Sequence, residues 1–190
     1  TATVGLSAVY FQDLFGLICF DQGFASMAAI RPKVGRSHVI HCLDAYQGRV
    51  GMEEVKAGQR IVTTIGGHLR RTTLLPVISD FLFEDAPERI RELAELSSVH
   101  DVFLVMIDSA FAFEFPDVSA GWINAFDVET GESRLMSRRE LRGLAARVRA
   151  WQDSLVNQAH ERGLDVLRLG VDQHASLPAL LEFVIVRRLR

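Results

Sequence analysis

Three aspartates that directly follow apolar runs are the side chains best placed to do chemistry. Asp80 follows the run 73–79, and Asp21 and Asp108 follow two further runs that are typical of buried strands. Open α/β sheets bind ligands beyond the carboxyl ends of their strands, and carboxylate oxygens are ligands that magnesium takes. Aspartate also caps loops, because its side chain accepts backbone hydrogen bonds. Asp80 is therefore either a metal ligand or a capping residue, and Asp21 and Asp108 are weaker candidates for the same metal site.

Histidines and cysteines give weaker signals of a site. His38 and His41 are three residues apart on a predicted helix and can share a face, but no third ligand follows at a recognised zinc spacing. Cys19 and Cys42 are too few to form a disulfide framework. We interpret both as reduced core residues, since buried thiols behave as small hydrophobes and reduced thiols are typical of an intracellular compartment.

The motifs of nucleophilic and phosphate chemistry are missing from the sequence. It contains no Gly-x-Ser-x-Gly elbow, so Ser79 has no support as a nucleophile. It also contains neither a Gly-x-x-x-x-Gly-Lys-Ser/Thr phosphate loop nor a Gly-x-Gly-x-x-Gly fingerprint. These residues predict a protein that is not an enzyme.

Composition narrows the classes of partner. The chain has 190 residues, of which 48% are hydrophobic and 24% charged, which predicts a single globular domain over residues 1–190. A net charge of −3 gives no reason to expect nucleic acid or an anionic membrane as partner. No apolar run approaches the ~18 residues that a membrane helix needs, so we expect no membrane contact from this chain and a cytoplasmic location.

An arginine-rich helix is the one feature that could indicate nucleic acid. Five arginines crowd the first half of this helix, namely Arg138, Arg139, Arg142, Arg147 and Arg149. Glu140 and Asp153 are interleaved with them, so we interpret this side of the helix as a solvated polar face.

The elements that must position these residues alternate between strands and helices. Strands are predicted at 14–20, 24–30, 73–79, 102–107, 122–128, 132–136 and 164–169, and helices at 1–12, 37–48, 53–69, 85–96, 138–162 and 177–189. This alternation predicts an α/β fold with a doubly wound, mostly parallel sheet covered by helices on both faces. Hairpins are expected at 14–30 and, as a small insertion, at 122–136.

Local signals add three expectations. Asp85 with Glu88, and Ser137 with Glu140, have the spacing of helix capping boxes. Pro76 removes one hydrogen bond from a ladder, so we expect a bulge or an unpaired edge at its strand.

The order of several short motifs resembles a known family. The matching stretches are Asp13–Phe20, Leu75–Phe81, His100–Asp108, Phe115–Val118, Asp127–Glu132 and Gly163–Val166. Together they are similar to MoxR-associated, von Willebrand factor A-like bacterial proteins, the family called domain of unknown function fifty-eight. The resemblance covers nearly all of the chain.

The resemblance implies a von Willebrand factor A-like fold that is truncated at its N-terminus. The first strand, which carries an Asp-x-Ser-x-Ser metal motif in that fold, has no counterpart here, and Thr1–Gln12 resembles the tail of the helix that follows it. The family's metal-site threonine falls near 58–60, where this chain has Gly-Gln-Arg. Only Asp80 matches the metal site, so magnesium is expected only if the upstream motif is present in a longer protein, which could also be membrane-anchored there.

Two functions from different classes follow. The resemblance implies a non-catalytic protein-interaction module, an adaptor that works beside a MoxR-type AAA+ ATPase and contacts it through the strand ends around Asp80. The alternative is a magnesium-dependent phosphoryl-transfer or hydrolase domain that uses the strand-end aspartates.

Overall fold

The chain divides into two compact units, Thr1–Arg70 and Arg71–Arg190. A computed structural model describes residues 1–21, 24, 26–48, 51–55, 60–110, 122–126, 131–170, 176, 178–180 and 182–183. Each unit has its own β-sheet and its own helices. None of the described helices is both long and apolar enough to cross a bilayer.

The first unit is built on an antiparallel sheet. Its described elements are α1 (Ala2–Phe11), β1 (Phe15–Asp21), β2 (Ser26–Lys33), α2 (Arg36–Gly48), β3 (Glu53–Val55) and α3 (Ile61–His68). The strands run in the order β1-β2-β3, and Ile18 pairs with Ala29 at the centre of the first hairpin. The hairpin expected between residues 14 and 30 is confirmed.

The helix expected over residues 53–69 is wrong in its first half. Glu53–Val55 forms β3, which pairs with Met27–Ala29 of β2, and helix α3 begins only at Ile61. Pairing with β2 satisfies the backbone groups of this segment through long-range hydrogen bonds, which local helix propensity does not anticipate. Ile61 and Ile65 are buried, as the helical spacing predicted.

Close packing of α1 on α2 closes the core of the first unit. A methyl group built on Gly5 would lie 2.5 Å from Cγ1 of Val39, so the two helices approach as closely as they do only because this residue has no side chain. The buried cluster beneath them consists of Phe15, Ile30, Val39, Cys42 and Ala45. Neither cysteine is in a disulfide; Cys42 is buried in the core as expected, whereas Cys19 is only half-buried.

The second unit contains a parallel sheet. Its described elements are β4 (Leu74–Ser79), α4 (Ala86–Leu96), β5 (Asp101–Ile107), β6 (Trp122–Phe126), β7 (Ser133–Ser137), α5 (Arg138–Glu161) and β8 (Asp165–Leu169). Parallel strands run in the order β4-β5-β8, and β6 and β7 form an antiparallel hairpin. The α/β class, the parallel sheet and the small hairpin are confirmed. Parallel pairing is confined to β4, β5 and β8 among the described strands, whereas we expected a mostly parallel sheet.

Apolar residues on β5 explain why it lies at the centre of that sheet. Val102, Leu104, Val105 and Met106 are all buried, so both faces of the strand are covered. Helices α4 and α5 contribute further fully buried side chains, namely Ile90, Leu93 and Leu155.

Among the described strands, Pro76 lies in an edge strand, which is one of the two alternatives that its missing N–H group predicted. The β4–β5 register runs without a break through Pro76, which pairs with Phe103 between Leu75↔Val102 and Val77↔Leu104. Within the described residues, no strand pairs with the other edge of β4. A proline is tolerated at such an edge because its nitrogen needs no acceptor there.

One of the two expected capping boxes forms. Ser137 Oγ accepts a hydrogen bond from the N–H of Glu140, and the Glu140 carboxylate accepts one from the N–H of Ser137. At α4 the Asp85 side chain makes no cap hydrogen bond. Its carboxylate instead pairs with Arg89 at 2.7 Å, because residues four apart on a helix are neighbours.

Stability should depend on Glu140 in a pH-dependent manner. Hydrogen bonds from the backbone N–H and then the hydroxyl of Ser137, with a smaller contribution from Arg134, hold the pKa of Glu140 below its usual value. A carboxyl whose pKa is lowered by folding stabilises the fold above its unfolded pKa, and this contribution is lost as the pH falls through the folded value. We therefore expect Glu140→Gln to have a lower melting temperature than the wild type at pH 7, and the two curves to converge at acidic pH. Thermal unfolding across a pH series measures this, and an equal difference at every pH would contradict it.

Several sequence features fall on residues that the structure does not describe. These are the segment 111–121, residues 127–130 of the second hairpin and most of the predicted helix 177–189.

Candidate functional site

Parallel strands bring two of the predicted aspartates to one edge of the second unit. Ser79, the last residue of β4, pairs with Met106 near the end of β5, so Asp80 and Asp108 follow adjacent strand ends. The N–H of Asp108 donates to the carbonyl of Leu169 at 2.8 Å, which ties this edge to the end of β8. All three strands therefore end together, as the rule for ligand sites in open α/β sheets requires.

Asp80 links its own loop to the neighbouring one. Its Oδ1 accepts a hydrogen bond from the N–H of Leu82 at 3.3 Å, and its Oδ2 accepts one from Oγ of Ser109 at 3.3 Å. The first contact is the loop-capping role that position alone allowed. The second joins the loop after β4 to the loop after β5 and holds the half-buried carboxylate in place.

Asp108 caps the loop that follows β5. Its Oδ1 accepts a hydrogen bond from the N–H of Ala110 at 2.9 Å, which is a short-range turn that aspartate favours. The side chain is half-buried and Ala110 is fully buried. Asp108 thus shapes the loop that presents Ser109 to Asp80.

Gln152 of helix α5 bonds to the backbone at the carboxyl ends of β4 and β5. Its Nε2 donates to the carbonyl of Asp80 at 3.0 Å and to the carbonyl of Ile107 at 2.8 Å. Gln152 is fully buried, and its Oε1 has no hydrogen-bond partner among the described residues. One amide group therefore joins both loops to the same helix.

Trp151 adds a second attachment one residue earlier on α5. Its Nε1 donates to the carbonyl of Phe81 at 2.9 Å. Phe81 is fully buried and adopts the left-handed conformation with φ 55°, which is uncommon for a residue with a side chain. The N–H of Phe81 donates to Oγ of Ser79 at 3.1 Å, so hydrogen bonds on both sides hold this turn.

The result is a small acidic surface with an apolar neighbour, which we call the strand-end face. It consists of Asp80, Leu82, Asp108 and Ser109. The two acids and the serine are half-buried, and Leu82 is 40% exposed. Fixed carboxylates beside an exposed apolar side chain suit recognition of a basic and apolar surface on a protein partner.

The remaining candidates lie in the first unit. Asp21 is the exposed last residue of β1. Because β1 lies in the first unit, Asp21 belongs to a different unit from Asp80 and Asp108. His38 and His41 share a face of α2, with ring centroids 6.2 Å apart. Among the described residues, no three histidine, cysteine, aspartate or glutamate side chains are grouped as metal ligands.

Sequence reasoning missed Ser109 and Gln152. Ser109 carries no motif, and only the fold brings it to Asp80. Gln152 did leave a signal, because it is four residues after Val148 and three before Leu155, positions on the apolar stripe of the helix. A glutamine at a core-facing position indicates a buried polar contact.

The family to which this chain belongs can now be stated. The family model described as "Protein of unknown function DUF58" matches residues 1–154, which include the strand-end face and Gln152. The chain belongs to the DUF58 family. No curated protein and no solved structure matches this DUF58 chain.

The donors at the strand-end face bear on whether this DUF58 chain holds magnesium by itself. A carboxylate and a hydroxyl, Asp80 and Ser109, are in direct contact and are both hard oxygen donors. Magnesium takes about six oxygen ligands in octahedral geometry, and the described residues do not provide a grouped set of acids for it. Asp80 as a metal ligand stays a prediction.

Proposed function

We propose that this DUF58 chain is a non-catalytic protein-interaction module whose contact surface is the strand-end face. The observation that carries the proposal is the double attachment of Asp80. Its carboxylate bonds to both adjacent loops, and its carbonyl is held by Gln152 from α5. Such fixation lowers the entropy lost when a partner binds, which favours recognition.

The proposed partner is a MoxR-type AAA+ ATPase, beside which the module acts as an adaptor. This partner comes from the family resemblance, as does the proposed von Willebrand factor A-like, doubly wound arrangement of the complete fold. Two half-buried acids on the face call for a basic surface on the partner. The free thiols and an ATP-consuming partner are in keeping with the cytoplasmic location expected from the sequence.

Asp80→Ala should weaken binding to a purified MoxR-type ATPase by about tenfold or more, because a charged hydrogen bond is worth about 1.5–3 kcal/mol. Isothermal titration calorimetry with the full chain measures the effect. Asp80→Asn is the sharper variant, since its amide oxygen can still accept from the N–H of Leu82, while the charge and the oxygen that accepts from Ser109 are lost. The matched control is Asp101→Ala, which removes an exposed acid from the opposite, amino-terminal end of β5.

The outcomes separate the two functions. Loss of affinity in both Asp80 variants, with Asp101→Ala unchanged, supports the adaptor. Equal affinity in all variants, or no binding by the wild type, contradicts it. Hydrolysis of a phosphate ester in the presence of magnesium that disappears in Asp80→Asn would establish the enzymatic alternative instead.

A further inference from the structure

A cleft in the first unit has the composition of an anion site. It has a volume of about 190 Å³, several times the space that one water molecule needs. Strand β2, helix α2 and the segment that leads into β3 form its walls. The residues that matter for its chemistry are Arg31, Lys33, His38, His41, Gly51 and Glu53. This cleft shares no residue with the strand-end face and does not depend on the function proposed for it.

Basic side chains outnumber acidic ones among the described residues that line the cleft. Arg31 and Lys33 come from β2, and His38 and His41 come from one face of α2. Among the described residues that line the cleft, Glu53 is the one acid, and its Oε2 lies 3.3 Å from Nε of Arg31. Both side chains of this pair are about two-thirds exposed, at 68% and 65%, so the pair is weak and leaves Arg31 able to contact another anion.

An irregularity in the sheet sets the position of the basic residues. The β1–β2 register shifts between Phe15↔Lys33 and Leu17↔Ile30, so Arg31 and Pro32 lie opposite Gly16 alone. Bulges of this kind change the direction of side chains and are over-represented next to functional sites. A methyl group built on Gly16 would lie 2.9 Å from the carbonyl oxygen of Ile30, so the glycine is required for this close approach.

Two further features concern the surroundings of the two histidines in the cleft. Gly51 adopts φ +82°, and a methyl group there would come within 3.4 Å of Cε1 of His41. Nε2 of His38 lies 3.6 Å from Sγ of the buried Cys42, and burial, followed by the nearby Cys19, raises the pKa of this thiol. A protonated thiol can donate to Nε2, which holds the imidazole of His38 in place in the wall of the cleft.

We propose that this cleft binds a phosphate-type oxyanion through Arg31, Lys33, His38 and His41. Guanidinium, ammonium and imidazole donors around a space of this size match the several acceptor oxygens of such a group. The ligand is either a soluble phosphate compound or the phosphate of a lipid headgroup, since both present the same chemistry.

The test titrates inorganic phosphate into the full chain and follows backbone amides by nuclear magnetic resonance. Saturable shifts should appear around Lys33 and His41 with a dissociation constant in the millimolar range. Sodium chloride at the same ionic strength should not reproduce them, because at about 0.1 M it screens charge without filling the cleft.

The double variant Lys33→Gln/His41→Gln should bind phosphate about fivefold more weakly or worse. Its matched control is Arg139→Gln/His160→Gln, which removes one arginine and one histidine from exposed positions on α5. The four substituted residues, Lys33, His41, Arg139 and His160, are all exposed. Both variants should therefore keep the wild-type circular dichroism spectrum. Equal weakening in the two variants, or no saturable shift in the wild type, would overturn the proposal.

Vesicles distinguish the two sources of the phosphate. Phosphatidylcholine vesicles are compared with and without phosphatidic acid. If the protein is retained on vesicles only when phosphatidic acid is present and Lys33 and His41 are intact, the ligand is a lipid headgroup. If the protein binds inorganic phosphate but is not retained on these vesicles, the ligand is a soluble compound.

Discussion

Replacing Gln152 by leucine should lower the free energy of unfolding of the second unit by about 2–4 kcal/mol. The side chain is fully buried, and its amide donates to the carbonyls of Asp80 and Ile107. Leucine has a similar volume but no donor, so two carbonyls lose their partner while the space stays filled. Removal of Oε1, which has no partner within the described part of the chain, offsets only part of this cost. Urea unfolding followed by circular dichroism measures the difference.

The control for this prediction lies on the same helix. Gln158→Leu removes an amide whose hydrogen bond, to Oγ of Ser154, is exposed to solvent. It should change the free energy of unfolding by no more than about 0.5 kcal/mol. Similar losses in the two variants would show that leucine disturbs α5 in general and that the two carbonyl contacts of Gln152 do not matter.

Truncating Phe81 to alanine should cost about 3–5 kcal/mol. Its ring is fully buried, and the backbone at Phe81 is fixed in the left-handed conformation by Ser79 and Trp151. Because hydrogen bonds hold the turn on both sides, neighbouring atoms cannot close the cavity completely. The loss of unfolding free energy should therefore lie toward the upper end of this range. Thermal and urea unfolding of the full chain measure it.

Phe126→Ala is the matched control, since this ring belongs to the same unit but is 61% exposed. It should stay within about 0.5 kcal/mol of the wild type. A loss below about 1 kcal/mol in Phe81→Ala would mean that the loop after β4 repacks freely. The fixed position of Asp80 in the strand-end face would then lose its support.

The sequence predicted best those elements whose signals are local or are dictated by burial. The apolar run of β5 required cover on both faces, and the spacing of Ser137 and Glu140 required a helix start. Both lie where expected, because hydrophobic periodicity and backbone capping act within a few residues. Pro76 could be assigned to a bulge or an unpaired edge for the same reason, since its missing donor is a property of the residue itself.

Elements that depend on distant partners could not be predicted in the same way. Glu53–Val55 became a strand because β2 lies beside it, and a single sequence does not show which strand will supply such pairing. At the strand-end face, Asp80 was found from its place after an apolar run. Ser109 reaches Asp80 across 29 positions and Gln152 reaches it across 72, contacts that only the fold creates.

The proline in β4 also bears on the tendency of the protein to aggregate when it is concentrated or newly synthesised. An exposed edge is a template onto which a strand from another molecule can add, and successive additions lead to aggregates. Leu74 and Ile78 on β4 are 56% and 37% exposed, so the strand has the apolar character that favours such growth. With no N–H to offer at its centre, Pro76 interrupts any intermolecular ladder there. If this edge of β4 is open in the whole protein as it is among the described residues, we expect Pro76 to act as a gatekeeper against edge-to-edge joining of separate copies.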